Sequence, residues 1–538
     1  MVPDTVLDII AQGAWNGGRL VDNAIYENKG MTFKGGIPVN HKTIEERIGV
    51  RTRVAAAEDE RIGVLAFEDL LRNTDIDPAR IRLVIGATNI GDDKFDPGPL
   101  IRHPFKLVES YCPDALALDL YAGCPGFNAS VEMVFMLSLA GILQPGDLSI
   151  IVGAENVHRA KVFAPQDTAN IIFGDDALAT ALETKSAAPQ ADKDCLSARV
   201  KFNAGENFAR GIAEELAKIK SPDKIDGIIV DNQLGKLEHR VPASAARIQH
   251  HLVEQIHPAE AANGTFKRFR SASAFYDQHV NSFAFDIMTP EKKPDAVAMI
   301  ANAYVCSGKY KVIAAAYIAP DLEVVLSVHE GKRRPYHRPR WGIVDCLTRT
   351  HGCFAPYIEV LPFTVRQDIF GKMDGKGVFL YATRSAKRHL NELLSANNLT
   401  IDDIDLLYEH QANFAMIPLT LQQILADGHR HLNRAVSAVI ANKMVTNIHL
   451  RGNCSVVCMQ RLPYDLQRNV LRPDNIQGYD VNQNLENLKR AKTILYDSIG
   501  AGMTRSSFLL KKKWDADGNR PQPRLRFGEL RRGKPHTD

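Results

Sequence analysis

Apolar residues along the chain switch between two spacings, and the switches mark its elements. Residues 6–18 (Val-Leu-Asp-Ile-Ile-Ala-Gln-Gly-Ala-Trp-Asn-Gly-Gly) predict a strand ending in a glycine-rich turn. Val64 to Leu71 reads as a helix with Leu65, Leu70 and Leu71 among its apolar residues, and Ile81-Arg-Leu-Val-Ile-Gly-Ala-Thr as a buried strand. Leu116, Leu118 and Leu120 then alternate as a short strand. A tight Ala-Gly-Cys-Pro-Gly turn follows, after which Val131, Val134, Phe135 and Leu139 recur at helical spacing. Leu148-Ser-Ile-Ile-Val-Gly-Ala-Glu-Asn is another strand, and 171–183 completes the region. Strands alternating with helices predict an α/β layered architecture.

After a polar stretch from Lys185 to Asp192, suited to a linker, the pattern returns. Ile212-Ala-Glu-Glu-Leu-Ala and Pro222-Asp-Lys-Ile-Asp-Gly-Ile-Ile-Val parallel the helix and strand around Leu65–Ala87, about 144 positions earlier. Val241-Pro-Ala-Ser-Ala-Ala-Arg-Ile-Gln parallels the region of Pro99. Phe283-Ala-Phe-Asp-Ile-Met repeats the strand Leu116–Tyr121, and Ala296 to Lys311 with Val312-Ile-Ala-Ala-Ala repeats the helix and strand after it. In this second copy Glu291 stands roughly where Cys124 stands in the first, so only one copy can offer a thiol. From about Phe370 a helix carries Val378, Ala382, Ala386, Leu390 and Leu394 on one face. Ile401-Asp-Asp-Ile-Asp-Leu-Leu-Tyr-Glu-His-Gln-Ala-Asn reads as a strand emptying into a polar turn, Thr493-Ile-Leu-Tyr-Asp-Ser-Ile-Gly-Ala-Gly-Met-Thr as a late strand with a glycine turn, and Phe508-Leu-Leu as the last strand. This divides the chain into 1–184, an inserted 185–330, 331–512, and a basic, Pro- and Gly-containing tail over 513–538.

Composition narrows the class. The 538 residues carry a net charge of only +3, so nothing points to nucleic acid or to a membrane surface. No apolar run approaches the ~18 residues that span a bilayer. The first residues show no charged-then-apolar targeting pattern. Eight scattered cysteines fit reduced thiols and a cytoplasmic location. His329, His337, Cys346, His351 and Cys353 fall near one another, but in no four-ligand zinc spacing.

Cys124 sits where a strand hands over to a buried helix, with Pro125 suited to the first helical turn. A thiol there meets unpaired N–H groups and the positive end of the helix dipole, which favours thiolate. Read alone, it is better taken as the small buried cysteine of a turn. Far along the chain stand His410 in Glu-His-Gln-Ala-Asn, Asn453 in Arg-Gly-Asn-Cys-Ser, and the Gly500-Ala-Gly turn. Together they would supply a nucleophile with polarising donors and exposed backbone N–H groups.

These motifs, in this order, resemble the β-ketoacyl-acyl-carrier-protein synthase III family of the thiolase superfamily. Asp119-Leu-Tyr-Ala-Gly-Cys-Pro-Gly-Phe is similar to its nucleophile motif, and Val152-Gly-Ala-Glu and Phe173-Gly-Asp-Asp to the strands that follow. His410-Gln-Ala-Asn, Gly452-Asn-Cys-Ser and Ile499-Gly-Ala-Gly-Met-Thr are similar to its His, Asn and C-terminal glycine-loop motifs. The resemblance covers about residues 6–184 and 370–512.

It implies an α/β thiolase-like fold of two βαβαβαββ halves in an α-β-α-β-α arrangement, here with a large insertion between the halves. It implies that Cys124 takes an acyl group from an acyl thioester, with the backbone N–H groups of Cys124 and Ala501, flanked by Gly500 and Gly502, as an oxyanion hole. His410 and Asn453 would stabilise the enolate from a decarboxylating malonyl thioester, in fatty-acid, polyketide or related lipid biosynthesis. Asn413, Arg47 and Phe173 are candidate substrate contacts. No cofactor or metal is implied; the partners would be acyl-CoA or acyl carrier protein thioesters, and the state a homodimer whose usual face the inserted copy could mimic.

The sequence also departs from the family pattern. Ala415 stands where the family often has an arginine, Asp167 near a commonly basic position, and Thr43 where an aromatic is expected before Arg47. Cys454 and Val456-Val-Cys458 are bulkier than usual behind Asn453. Non-decarboxylative joining of two acyl thioesters, acyl transfer to an alcohol or amine, and a non-catalytic partner subunit are the rival readings. The third would not require Cys124, His410 and Asn453 together.

Overall fold

A computed structural model describes residues 4–57, 60–89, 108, 110–160, 162–164, 166–187, 195–205, 207–232, 242–289, 294–318, 323–332, 338–360, 371–482 and 485–513. Glu291, Val241, the Pro99 region, His337, Phe370 and the tail beyond Lys513 lie outside these residues.

The first five main strands are β1 (Leu7–Ala14), β2 (Ile81–Ala87), β3 (Leu116–Tyr121), β4 (Leu148–Glu155) and β5 (Asp176–Thr184). They lie in the order β1-β5-β4-β2-β3. β2 runs parallel to β3 and β4, while β5 is antiparallel to β4 and β1. The two longest described helices of this unit are α1 (Ile62–Asn73) and α2 (Gly126–Leu139). All eight residues of β4 are buried, because helices cover both faces of the sheet there.

The next five strands repeat that plan. β6 (Leu196–Asn203), β7 (Gly227–Asn232), β8 (Phe283–Met288), β9 (Lys311–Ile318) and β10 (Glu323–Glu330) lie in the order β8-β7-β9-β10-β6. Strand for strand, this is the order of the first unit. The directions also agree: β7 is parallel to β8 and β9, and β10 antiparallel to β9 and β6. Its helices include α3 (Phe208–Ala217), α4 (Ser244–Ile256) and α5 (Pro294–Cys306).

The two units join through their corresponding strands. β3 pairs antiparallel with β8, Asp119 opposite Met288 and Tyr121 opposite Asp286, giving one ten-stranded sheet. Without the second unit, β3 would be an open edge, the kind of row of free N–H and C=O groups that pairs with another chain. Here the same chain occupies it. Light scattering is therefore expected to give a mass near 59.6 kDa; twice that mass would show that a different face self-associates.

The second large sheet has four strands, β11 (Gly342–Thr350), β12 (Leu406–Glu409), β13 (Thr493–Gly500) and β14 (Thr504–Lys511), in the order β11-β14-β13-β12. Its helices are α6 (Gly375–Ala396), α7 (Met416–Leu425), α8 (Leu432–Asn442) and α9 (Cys458–Gln467). Alternation along β12 separates two cores. Leu406 and Tyr408 join the inner core with Phe135 of α2, Ile300 of α5 and Met459 of α9, whereas Leu407 joins Leu390, Leu421 and Ile440 of α6, α7 and α8. On the far side of the ten-stranded sheet, α1 packs in one outer core and α3 and α4 in another. The result is the α-β-α-β-α layering of an α/β protein. Among the described residues, no helix is long and apolar enough to cross a membrane.

The middle layer is unusually enclosed. All fourteen residues of α2 are buried, so its polar side chains must find partners inside. Asn128 Nδ2 donates to the Ser506 carbonyl at 2.7 Å, Ser130 and Ser138 bond back to carbonyls one turn earlier, and Thr348 Oγ1 donates to Glu132. These bonds fix α2, and with it the turn at its start.

Candidate active site

β3 ends at Tyr121, and the chain turns through Ala122, Gly123 and Cys124 before α2 begins at Gly126. The helix starts one residue later than the sequence predicts, with Pro125 as its cap residue. Gly123 adopts φ 71°, and a methyl group added there would fall 2.5 Å from the Ala501 nitrogen. One added at Gly500 would fall 2.3 Å from the Cys124 nitrogen. Only glycines let the two backbones approach this closely. The Cys124 and Ala501 backbones are thereby brought together. Gly502, at φ 79°, continues the turn beside Ala246 of α4, so the second unit braces the loop. Gln249 of α4 adds to the bracing, accepting from the Gly352 nitrogen at 2.8 Å and donating to the Thr350 carbonyl at 2.9 Å.

His410 follows β12 directly and shares the inward face of Tyr408. Its backbone N–H donates to the Asp497 carbonyl of β13 at 2.8 Å, placing it at the sheet end from which Gly500 and Ala501 emerge. It is buried, and its Nδ1 has no hydrogen-bond partner. Burial lowers the imidazole pKa to about 4, opposed by nearby Asp497 and assisted by Arg505. At neutral pH His410 is therefore an uncharged N–H donor. Gln411 next to it clamps the following loop: Oε1 accepts from Thr446 Oγ1 and the Asn447 and Ile448 nitrogens, and Nε2 donates to the Val445 carbonyl.

Asn453 is held by a backbone bridge to Phe173: its N–H donates to the Ile172 carbonyl at 2.8 Å, and its carbonyl accepts from Gly174 at 3.1 Å. Its Oδ1 accepts from the Ser455 nitrogen at 2.8 Å, which leaves the side-chain NH2 as the available donor. Ser455, at φ 50°, places its Oγ 3.3 Å from Cys124 Sγ and 3.3 Å from Glu155 Oε1. The same Glu155 oxygen accepts from the backbone and side-chain nitrogens of Asn89.

The thiolate expected from the helix terminus is not the resting form here. Burial pushes the Cys124 thiol up to about 12; the Ser455 hydrogen bond opposes this and the Glu155 charge adds to it. Cys124 nonetheless retains partial solvent exposure, so reagents can reach a group whose thiolate is largely desolvated. Glu155 is likewise pushed up, to about 8, by burial, against the hydrogen bonds from Asn89 and Ser455.

A pH dependence follows. Below about 8 Glu155 is neutral; as it ionises, its charge further disfavours the Cys124 thiolate. Glu155→Gln is expected to alkylate with iodoacetamide at the wild-type rate below that pH and faster above it. Because the folded-state value is raised, wild type should also lose stability as pH climbs from 4.5 towards 8, a slope that Glu155→Gln removes. Identical rate and melting profiles would rule out the coupling.

The other candidates are placed elsewhere. Arg47 is exposed on the helix His41–Ile48, its guanidinium 5.4 Å from the Phe33 ring, and no contact brings it to Cys124. Asn413 caps the turn before α7 through Oδ1, accepting from Ala415. Phe173 stacks on Phe163 at 5.8 Å while bridging Asn453. Thr43 completes a capping box with Asn40, and Asp167 caps a short helix. Cys454 packs with Ala14, Leu178 and Tyr464. Among the described residues no cluster of three or more His, Cys, Asp or Glu is arranged to hold a metal ion. Glu155, Ser455 and Asn89 escaped the sequence reading as site residues. The available signals were Glu155 ending the strand beside the nucleophile and Ser455 inside the Asn motif.

No family model matches the chain. Over 175 residues it is 30% identical to a β-ketoacyl-acyl-carrier-protein synthase III of Paracoccus denitrificans, spanning 31% of this chain and 47% of that protein. A namesake from Mesorhizobium japonicum is 28% identical over 180 residues, 32% of this chain and 52% of its own. The chain thus spans about half the length of the curated relatives it matches. Among solved structures, the 3-oxoacyl-acyl-carrier-protein synthase III of Aquifex aeolicus covers 94% of this chain and 99% of its own at 14% identity and a TM-score of 0.49. The corresponding enzyme of Thermus thermophilus covers 94% and 99% at 19% identity and a TM-score of 0.46.

Proposed function

We propose that this chain, a relative of the β-ketoacyl-acyl-carrier-protein synthase III family, is an acyltransferase that condenses two thioesters. The observation that carries this is the meeting of the Gly500-Ala501 backbone with the Gly123-Cys124 turn, at a site supplied with two neutral donors, His410 and Asn453. Cys124 sulfur attacks an acyl thioester; the tetrahedral oxyanion is held by the Cys124 and Ala501 N–H groups, and the leaving thiolate takes up the thiol proton. A malonyl thioester then loses carbon dioxide. The electron pair of the broken C–C bond moves into an enolate whose oxygen accepts hydrogen bonds from His410 and Asn453. The enolate carbon attacks the acyl-Cys124 carbonyl and expels the Cys124 thiolate, giving a β-ketoacyl thioester. Charge in each step rests on hydrogen-bond donors, so no metal or redox group is called for. The carriers are coenzyme A or acyl carrier protein, and the setting is fatty-acid or related lipid synthesis.

A second reading rests on Glu155. It stands beside Ser455 and Cys124, and once ionised, above about pH 8, it could remove a proton from carbon next to a thioester carbonyl. That would join two acyl thioesters without loss of carbon dioxide. Incubation with an acyl-CoA and carboxyl-labelled malonyl-CoA separates the two. One labelled carbon dioxide per β-ketoacyl product is expected; product formed from acyl-CoA alone would overturn the decarboxylative route in favour of the second.

A further inference from the structure

β1 and β6 hold matching places at the two ends of the ten-stranded sheet, but their surroundings differ. β1 has no exposed residue: β11 passes against Leu7, and α9 lies over Gln12, whose Nε2 donates to the Gln460 carbonyl at 3.2 Å. In β6 every residue is exposed except Phe202, which is half-buried. The four-stranded layer occurs once among the described residues, so β6 lacks the cover that β1 receives. A strand joined on one side and wet on both faces opens readily. Two thiols meet at its N-terminal end. Cys195 directly precedes β6 and Cys306 ends α5; both are half-buried, and their sulfurs are 3.8 Å apart although 111 positions separate them. Cys195 is seated by its backbone, its N–H donating to Asn302 Oδ1 of α5 at 2.9 Å and its carbonyl accepting from Glu330 at 2.8 Å. Just beyond it the pairing of β6 with β10 slips, between Leu196 and Ala198. α5, by contrast, is a fixed post. Ile300, Ala301 and Tyr304 are buried in the inner core, and Ser307 Oγ donates to the Met136 carbonyl of α2 at 2.9 Å. The first unit has no such thiol pair: Val6 precedes β1 and Leu139 ends α2.

We propose that Cys195 and Cys306 form a redox modification site, closed to a disulfide by a hydroperoxide, that staples the exposed edge strand β6 to the buried helix α5. The proposal is independent of the acyl-transfer reading. The sulfurs are already in contact and need to close by less than about 2 Å to reach the bond length of about 2.05 Å. One thiolate attacks a peroxide oxygen and becomes a sulfenic acid, while the O–O bond breaks and water or an alcohol leaves. The second sulfur attacks the sulfenic sulfur, and its proton departs with the hydroxyl as water. Two electrons thus pass from the thiols to the peroxide. Two small-molecule thiols reverse the step and leave as their own disulfide, so the staple closes under oxidation and opens in reducing conditions.

Peptide mapping and amide hydrogen exchange on the full chain test this. After hydrogen peroxide treatment and capping of the remaining thiols with iodoacetamide, a non-reducing digest is expected to hold the Cys195 peptide joined to the Cys306 peptide. Dithiothreitol should release both. Exchange of the β6 amides is expected to slow about tenfold in the oxidised protein, because the cross-link restricts the opened state, while exchange in β1 stays unchanged. Cys195→Ser and Cys306→Ser, substitutions at half-buried positions, should each keep the exchange rates of the reduced protein and lose the response to peroxide. Recovery of both thiols in capped form after treatment, with oxidation confined to Cys124, would overturn the assignment. So would a disulfide that leaves β6 exchange unchanged, or a slowing that persists in the two serine variants.

Discussion

Cys124→Ala is expected to abolish condensation while leaving decarboxylation of malonyl thioester measurable, and His410→Ala to slow decarboxylation while leaving acyl loading of Cys124 intact. The two halves of the proposed chemistry use different groups. Acyl transfer needs the sulfur and the two backbone donors; enolate formation needs the His410 and Asn453 donors. Removing a nucleophile forfeits the covalent route, a loss on the order of 10³-fold or more in turnover. Removing one of two donors to a developing oxyanion costs on the order of 10²–10³-fold in the step it serves. His410→Ala should therefore still take up an acyl group from acyl-CoA, while carbon dioxide release falls. Two assays on two variants suffice, release of labelled carbon dioxide and acyl loading of the protein from acyl-CoA. Loss of both activities in both variants would mean that the groups act as one unit and that the division of labour is wrong.

Arg461→Met is the substitution expected to cost the fold most. Arg461 is fully buried on α9 and forks onto Asp176 of β5, with Nε 2.8 Å from Oδ2 and Nη2 on Oδ1; Nη2 also donates to the Trp15 carbonyl at 2.9 Å. Asp465 stands 3.7 Å away and is itself held by Arg451 at 2.8 Å. The arginine thus ties the middle-layer helix that follows the Asn453 loop to the ten-stranded sheet. Methionine keeps much of the volume and removes the charge, which strands Asp176 among apolar groups. Breaking one partner of a buried pair costs about 3–5 kcal/mol, whereas replacing both partners can be nearly neutral. Urea titration of Arg461→Met should show that loss, and adding Asp176→Asn should recover part of it. A loss below ~1 kcal/mol would mean that water reaches Asp176, as at an exposed pair.

Much of the architecture was legible because it rests on local rules. Alternation at Leu116, Leu118 and Leu120 and helical spacing from Val131 to Leu139 located β3 and α2. The internal repeat, read from apolar segments alone, reappears as two units with one strand order. The pairing of β3 with β8 was beyond the sequence: both strands read as buried, and nothing in a buried run says which neighbour it takes. The site divided in the same way. Cys124, His410, Asn453 and Ala501 stand in recognisable motifs. Glu155 is an acid at the end of an apolar strand, and its contact with Ser455, 300 positions away, exists only in the fold. The expected thiolate failed for a related reason. The helix terminus is visible in sequence, whereas the burial that outweighs it comes from packing around Cys124. Arg47, matched by position, lies exposed on a surface helix.

The central claim is that Cys124 carries an acyl group between two half-reactions. Intact-protein mass spectrometry after incubation with a series of acyl-CoAs tests it most directly. For at least one chain length the mass is expected to rise by one acyl group, mapped by digestion to the peptide holding Cys124, with no increase in Cys124→Ala. An adduct that persists in Cys124→Ala, or no adduct with any acyl-CoA or acyl carrier protein thioester, would contradict it.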